Sequence, residues 1–246
     1  TDRAAVVGAH FGGTAALAAA LEDPRFNAVV SLHASTFGPG QGRYEVGVPY
    51  LGLGGVSEGG FFCPLGQSWD DVYFGSGVVH KAGLMFPDAS PLDFQEPPYR
   101  DGGLLCGNPS GQPITAIRGL MTAWLQYYVR GDASYYANLY GPEGAPLKPG
   151  NVSDSRNENA PRRLAAVPTA GGGAELTWAK DLTDATVIQS YVVARAEGSG
   201  AFRPVATVPL AQNTYVDATL TGGTAYRYTV AFRDKAGNLF KPSEPV

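Results

Sequence analysis

One bend near the start of the chain holds the residues best suited to chemistry. Gly8-Ala9-His10-Phe11-Gly12-Gly13 sets an imidazole among glycines that let neighbouring backbone approach closely. An imidazole there could serve as a nucleophile or as a metal ligand. Attack by imidazole itself gives an acyl-imidazole, which water hydrolyses readily. Acyl transfer through a hydroxyl needs an oxygen nucleophile, a base to take its proton and an acid to orient the base. The remaining histidines, His33 and His80, fall at the end of one apolar run and the start of another, positions that suit packing or capping. No second histidine is therefore expected to assist His10. No two histidines stand at ligand spacing and no Cys/His cluster occurs, so neither a metal nor another cofactor is expected.

The elements that must position His10 follow from the pattern around it. Ala4-Ala5-Val6-Val7-Gly8 reads as a buried parallel strand, Thr14 to Leu21 as an Ala/Leu helix stopped by Glu22-Asp23-Pro24, and Phe26 to Leu32 as a second strand. Together they make a βαβ unit with a right-handed crossover. Further strands are predicted over Val48–Leu53 and Lys81–Phe86, with a short helix over Gln67–Phe74. A long helix from Ile114 to about Val129 carries Ile114, Ile117, Leu120, Met121, Trp124, Leu125 and Tyr128 at three- and four-residue spacing, and should cover one face of the sheet. A short aromatic helix, Ser134–Tyr140, follows. Residues 144–161 are polar, show neither period and read as a linker. Beyond them, Glu175–Ala179, Val187–Ala194, Arg203–Val208, Thr214–Asp217 and Tyr226–Arg233 alternate in the manner of an antiparallel sandwich. The tripeptide Arg130-Gly131-Asp132 closes a predicted helix and is read as a helix end, not as an adhesion motif.

Composition narrows the function classes. The 246 residues are 44% hydrophobic and 16% charged, as in a folded chain. No run of 18 apolar residues offers a membrane span, and no basic block points to nucleic acid. The net charge of −4 is uneven: residues 1–150 hold 8 Lys+Arg against 13 Asp+Glu, whereas residues 151–246 hold 10 against 9. Cys63 and Cys106 could close a loop of 44 residues as a disulfide, or stand as two free thiols. With 33 glycines, 19 prolines and five lysines, the composition favours an exported protein: extracellular, periplasmic or on the cell surface. No charged stretch followed by an apolar one stands at the first residues, so any secretion signal is expected to have been removed or not included.

Two resemblances add to this reading. Residues 162–246 resemble a fibronectin type III domain through Leu176-Thr177-Trp178, the run Ile188 to Arg195, and Leu220 to Val230, where Tyr226 stands at the place of the tyrosine corner. The strand, turn and helix of residues 4–21 resemble the nucleophile elbow of the α/β-hydrolases, and residues 4–142 are similar to secreted lipase, polyester-hydrolase and acetylhydrolase-like esterases. The resemblance implies an α/β-hydrolase-like partial parallel sheet over 1–143, a linker over 144–161 and an all-β fibronectin type III sandwich over 162–246. It also implies a degenerate triad. His10 takes the place of the serine, Glu58 in Leu53-Gly54-Gly55-Val56-Ser57-Glu58-Gly59-Gly60 is the one carboxylate at the place of the acid, and Pro91 in Ala89-Ser90-Pro91 occupies that of the base.

In such a fold several strands precede the elbow, which implies that a polypeptide of about 100 residues completes the sheet beside Ala4–Val7. It could be a partner subunit, a cleaved N-terminal fragment or a missing stretch of the same chain. Phe11, Phe37, Phe61, Phe62 and Trp69 flank the predicted strand ends and could line a cleft for a small apolar ligand or a polymer. The expected role is binding or structural; the alternative is an active carboxylic-ester hydrolase with displaced catalytic groups or a separate N-terminal chain.

Overall fold

The computed structural model describes residues 3–34, 46–55, 80–87, 89–94, 114–140, 154–180, 185 and 187–246. They fall into two compact units, the first built chiefly from residues before 159 and the second chiefly from residues 159–246.

The first unit is a sheet of β1 (Ala4–Ala9), β2 (Phe26–Leu32), β3 (Tyr50–Gly55), β4 (Lys81–Phe86) and β5 (Asp154–Glu158), in that spatial order. Pairings from β1 to β4 are parallel, with Val6 beside Val29, Val30 beside Leu51 and Leu53 beside Leu84. The strands β2 and β4 carry the predicted bounds, because their apolar runs end abruptly at polar or turn residues. The fifth strand corrects the expected linker over 144–161, since Asp154–Glu158 runs antiparallel along β4. Asp154-Ser155-Arg156-Asn157-Glu158 contains no apolar residue, so no period marks it. Backbone pairing along an outer edge needs none, and polar residues suit an edge.

Helices cover the sheet. From α1 (Phe11–Glu22), Ala16, Leu17 and Ala20 pack into one core cluster with Val29 and Tyr50, with Val6 against it. Val6, Val29 and Tyr50 are register neighbours on one face, so the alternate residues Ala5 and Val7 face the other. On that face lies α2 (Ile114–Tyr128), whose Ile117, Leu120, Trp124 and Tyr128 are buried as the helical spacing predicts, with Ala123 and Tyr127 buried beside them and Ile114, Met121 and Leu125 only half-buried. Trp124 and Tyr127 meet Tyr128 at ring-centre distances of 4.4 and 4.9 Å. The Tyr128 hydroxyl bonds that of Tyr140 at the end of α3 (Tyr136–Tyr140).

The helix end between α2 and α3 explains the Arg130-Gly131-Asp132 tripeptide. Gly131 adopts φ 72°, the Asp132 N–H returns to the Gln126 carbonyl at 3.0 Å, and the Asp132 carboxylate accepts from the Ser134 amide at 3.0 Å. The sheet with its flanking helices has an α/β-hydrolase-like core topology. Within it β3 is buried throughout, whereas β1 is only half covered and Val7 is 41% exposed.

The second unit holds two antiparallel three-stranded sheets. One contains β6 (Ala165–Pro168), β7 (Ala174–Thr177) and β10 (Thr214–Asp217), ordered β10-β7-β6; the other contains β8 (Ile188–Glu197), β9 (Arg203–Pro209) and β11 (Tyr226–Asp234), ordered β11-β8-β9. Trp178 packs edge-on to Tyr191 at 5.1 Å, and Tyr191 lies 5.1 Å from Phe232. The Tyr226 hydroxyl accepts from the Thr221 amide at 3.1 Å, the tyrosine corner read from the sequence. Asp217 is buried and accepts from Arg195 (2.7 Å), Tyr228 (3.0 Å) and the amide and hydroxyl of Thr219 (3.0 and 2.7 Å). Burial acts to raise its pKa, but the bonds from Thr219, Arg195 and Tyr228 outweigh it and hold the carboxyl below its ordinary value.

Candidate functional site at the carboxyl ends of the parallel strands

His10 follows the last residue of β1 and is the N-cap of α1, with φ 53° and ψ −121°. A non-glycine residue rarely takes a positive φ, and here the chain must turn sharply from strand into helix. The turn is tight enough that a Cβ on Gly8 would lie 1.9 Å from the Gly12 carbonyl oxygen. Small residues are thus required where the strand meets the helix, and the side chain of His10 stands at the crest of the bend. Phe11 is 58% exposed, with its ring edge-on to His10 at 4.3 Å.

His33 follows β2 as His10 follows β1. Ala9 and Leu32 are register partners, so the two histidines are adjacent ends of adjacent parallel strands. His33 also has a positive φ, 45°. Its ring lies nearly parallel to that of His10, with planes 6° apart and centres 6.5 Å apart. This corrects the expectation that no second histidine stands near His10. The signal was in the sequence: each histidine immediately ends a run that parallel pairing sets side by side.

His33 is fixed from below and beside. Its N–H donates to the Leu53 carbonyl at 2.6 Å, and its Nδ1 accepts from the Gly55 amide at 3.3 Å, which leaves the ring proton of the neutral imidazole on Nε2. Burial, followed by repulsion from His10, lowers its pKa to about 4; burial alone lowers that of His10. Both rings are therefore neutral near pH 7. His80 precedes β4 at the opposite, amino end of the parallel sheet, fully buried and 6.1 Å from the Tyr128 ring, and burial lowers its pKa to about 3. It packs the core, as its place at the strand start suggests.

The segment after β4 reaches the same end of the sheet. A Cβ on Gly55 would lie 2.1 Å from the Ala89 carbonyl oxygen, so Ala89 crosses closely over the end of β3. Residues 91–94 form a single 3-10 turn, in which the buried Asp93 carboxylate accepts from the Ser90 amide at 2.8 Å. Phe94 brings its ring to 6.0 Å from His33. The structure thus gathers His10, His33, Ser90, Asp93 and Phe94 around one end of the sheet, with the backbone of Pro91 among them. Glu58, Phe37, Phe61, Phe62, Trp69, Cys63 and Cys106 lie outside the described residues, as does the helix predicted over Gln67–Phe74. Among the described residues no group of three His, Cys, Asp or Glu side chains could hold a metal ion, and no helix is long and apolar enough to cross a membrane.

The chemistry on offer is that of two neutral imidazoles, one at the elbow and one beside it at the end of the neighbouring strand. Position 10 supplies no hydroxyl for acyl transfer through an oxygen.

No protein-family model matches the chain, and no curated protein does. Solved structures do. A fibronectin type III-like protein from Clostridium thermocellum is 30% identical over 35% of this chain and 84% of its own, with a TM-score of 0.29. Pectate lyase PelI from Erwinia chrysanthemi, solved in complex with tetragalacturonic acid, is 21% identical over 34% of this chain and 26% of its own, with a TM-score of 0.29. A β-1,2-glucanase from Parabacteroides distasonis is 26% identical over 36% of this chain and 12% of its own, with a TM-score of 0.31. The strand order of the two antiparallel sheets, the Trp178–Tyr191 core and the Tyr226 corner carry the assignment: the C-terminal unit is a fibronectin type III-like sandwich.

Proposed function

We propose that the first unit is a catalytically degenerate α/β-hydrolase-like scaffold with a binding or structural role in an exported protein. One observation supports this above others: the elbow keeps its strained backbone and its required glycine at Gly8, yet carries an imidazole where an attacking hydroxyl belongs. Pro91 at the place of the base and Glu58 at that of the acid extend the same pattern. The bound molecule in this reading is a small apolar ligand or a polymer meeting the carboxyl end of the sheet near His10 and Phe11, with Phe37, Phe61, Phe62 and Trp69 as further lining. The sandwich serves as a spacer or accessory module. A disulfide between Cys63 and Cys106 accords with an exported setting.

A second reading draws on the neighbouring His33. In it the His10 imidazole attacks the ester carbonyl, the alcohol leaves with the proton that the imidazole gives up, and water then hydrolyses the acyl-imidazole to the acid and free His10, with the His33 ring alongside; weak esterase activity is the result. A short-chain nitrophenyl ester separates the two. Absence of turnover in folded protein favours the scaffold; turnover lost in His10→Ala and lowered in His33→Gln favours the enzyme.

A further inference from the structure

Between β5 and β6 the chain passes from one compact unit to the other through residues 159–164, which belong to no helix or strand. Two arginines stand there side by side. Arg162 and Arg163 are the one pair of adjacent cations among the 18 lysines and arginines of the sequence, and both are exposed. Asn159 and Pro161 before them are buried, and the Arg162 carbonyl accepts from the Ala179 N–H at 2.8 Å. The backbone is thus anchored while the two cationic side chains reach solvent. Arg163 holds φ 54°, a conformation that a residue with a side chain adopts only at a cost.

We infer that Arg162 and Arg163 form a processing site for an endoprotease selective for paired basic residues. Water adds across the Arg163–Leu164 amide, giving the Arg163 carboxylate and the Leu164 ammonium. Acidic subsites on the protease take the two guanidinium groups, and charge at both positions selects this bond over those beside isolated cations. Such a cleft binds its substrate extended, so Arg163 leaves its positive φ and the bond from Ala179 opens. Relief of the strain at Arg163 offsets part of that cost. Placement suits the cut. Asp154–Glu158 lies wholly before it and Ala165–Pro168 wholly after it, so no described strand of either unit is divided. The inference goes beyond the scaffold reading and makes no use of His10.

The test treats the full chain with a subtilisin-type endoprotease specific for paired basic residues and reads the products by mass and amino-terminal sequencing. One main cut is expected, with the new amino terminus Leu164-Ala165-Ala166. Cleavage tracks the population of the opened segment, so its rate should be no less than about one hundredth of that of a free peptide spanning Asn159 to Val167. Arg162→Gln should slow the cut by about tenfold or more, and Arg162→Lys should restore it. Hydrogen exchange over β2 and β8 should be the same before and after the cut. A rate below that threshold, a main cut elsewhere, equal cleavage of Arg162→Gln, or lost protection in either sheet would each overturn the inference. Ester turnover by the uncut chain is a separate measurement, so failure here leaves the reading of His10 standing.

Discussion

The two units differ in which residues occupy left-handed backbone. In the sandwich unit, Gly172, Gly198, Gly223 and Gly237 take positive φ in turns, with open space around each missing Cβ, and Arg163, ahead of β6, is its one described non-glycine residue at positive φ. Glycine adopts that conformation without steric cost, so these turns need no explanation beyond stability. In the first unit, His10 and His33 hold the same region of backbone at two adjacent strand ends. A β-carbon there costs about 1 kcal/mol or more, and such strain persists where the surrounding fold imposes it. The contrast separates a unit with a single such non-glycine residue from a sheet that sets two of them side by side at one end.

Acid should sharpen that contrast most. His33 and His80 are held neutral by burial, with values of about 4 and about 3 against 6.5 when unfolded. The unfolded chain then binds more protons below pH 6.5, so the first unit loses stability as pH falls from about 6.5 towards 4, on the order of 3 kcal/mol from His33 alone. In the sandwich, the depressed carboxyl of Asp217 contributes stability that is intact above the ordinary carboxylate range and lost only as pH falls below it. Hydrogen exchange read separately over β2–β3 and β8–β11 should show the first unit opening at the higher pH. Simultaneous opening would erase the distinction.

Next in size, Gly8→Val places a side chain within the Gly12 carbonyl and should destabilise the first unit by about 3 kcal/mol in denaturant titration, with the sandwich unchanged. Asp217→Asn leaves Arg195 without its anion and weakens the bonds to Thr219 and Tyr228; a loss of about 2 kcal/mol confined to the sandwich is expected. The smallest effect is the most telling. His10→Gly relieves the positive φ and should stabilise the first unit by about 1 kcal/mol, seen as a raised unfolding midpoint. A loss of stability instead would mean that the imidazole itself holds the elbow together.

The sequence disclosed those parts in which side chains carry the order. Phe26–Leu32 and Lys81–Phe86 form continuous apolar runs, the face of α2 repeats at helical spacing, and Tyr226 follows Thr221 at the interval its hydroxyl needs to reach that amide. Edges were silent. Asp154–Glu158 pairs through backbone alone, and Ala165–Pro168 is exposed at every residue, so neither leaves a period. The pairing of His10 with His33 was legible in principle, but only after parallel register is imposed on two runs separated by a helix. Histidines taken one at a time give no sign of it.

The last seven residues show how the sandwich finishes its own rim. Phe240, Ser243 and Val246 donate to β11 at the carbonyls of Phe232, Val230 and Tyr228, every third residue facing inward. That threefold repeat belongs to a polyproline-like path, and Pro242 and Pro245 supply it. Those two positions have no amide hydrogen to offer a newcomer, so a neighbouring molecule finds an interrupted row of donors along this border. A strand arriving at this border therefore meets a poorer template than a regular edge would offer.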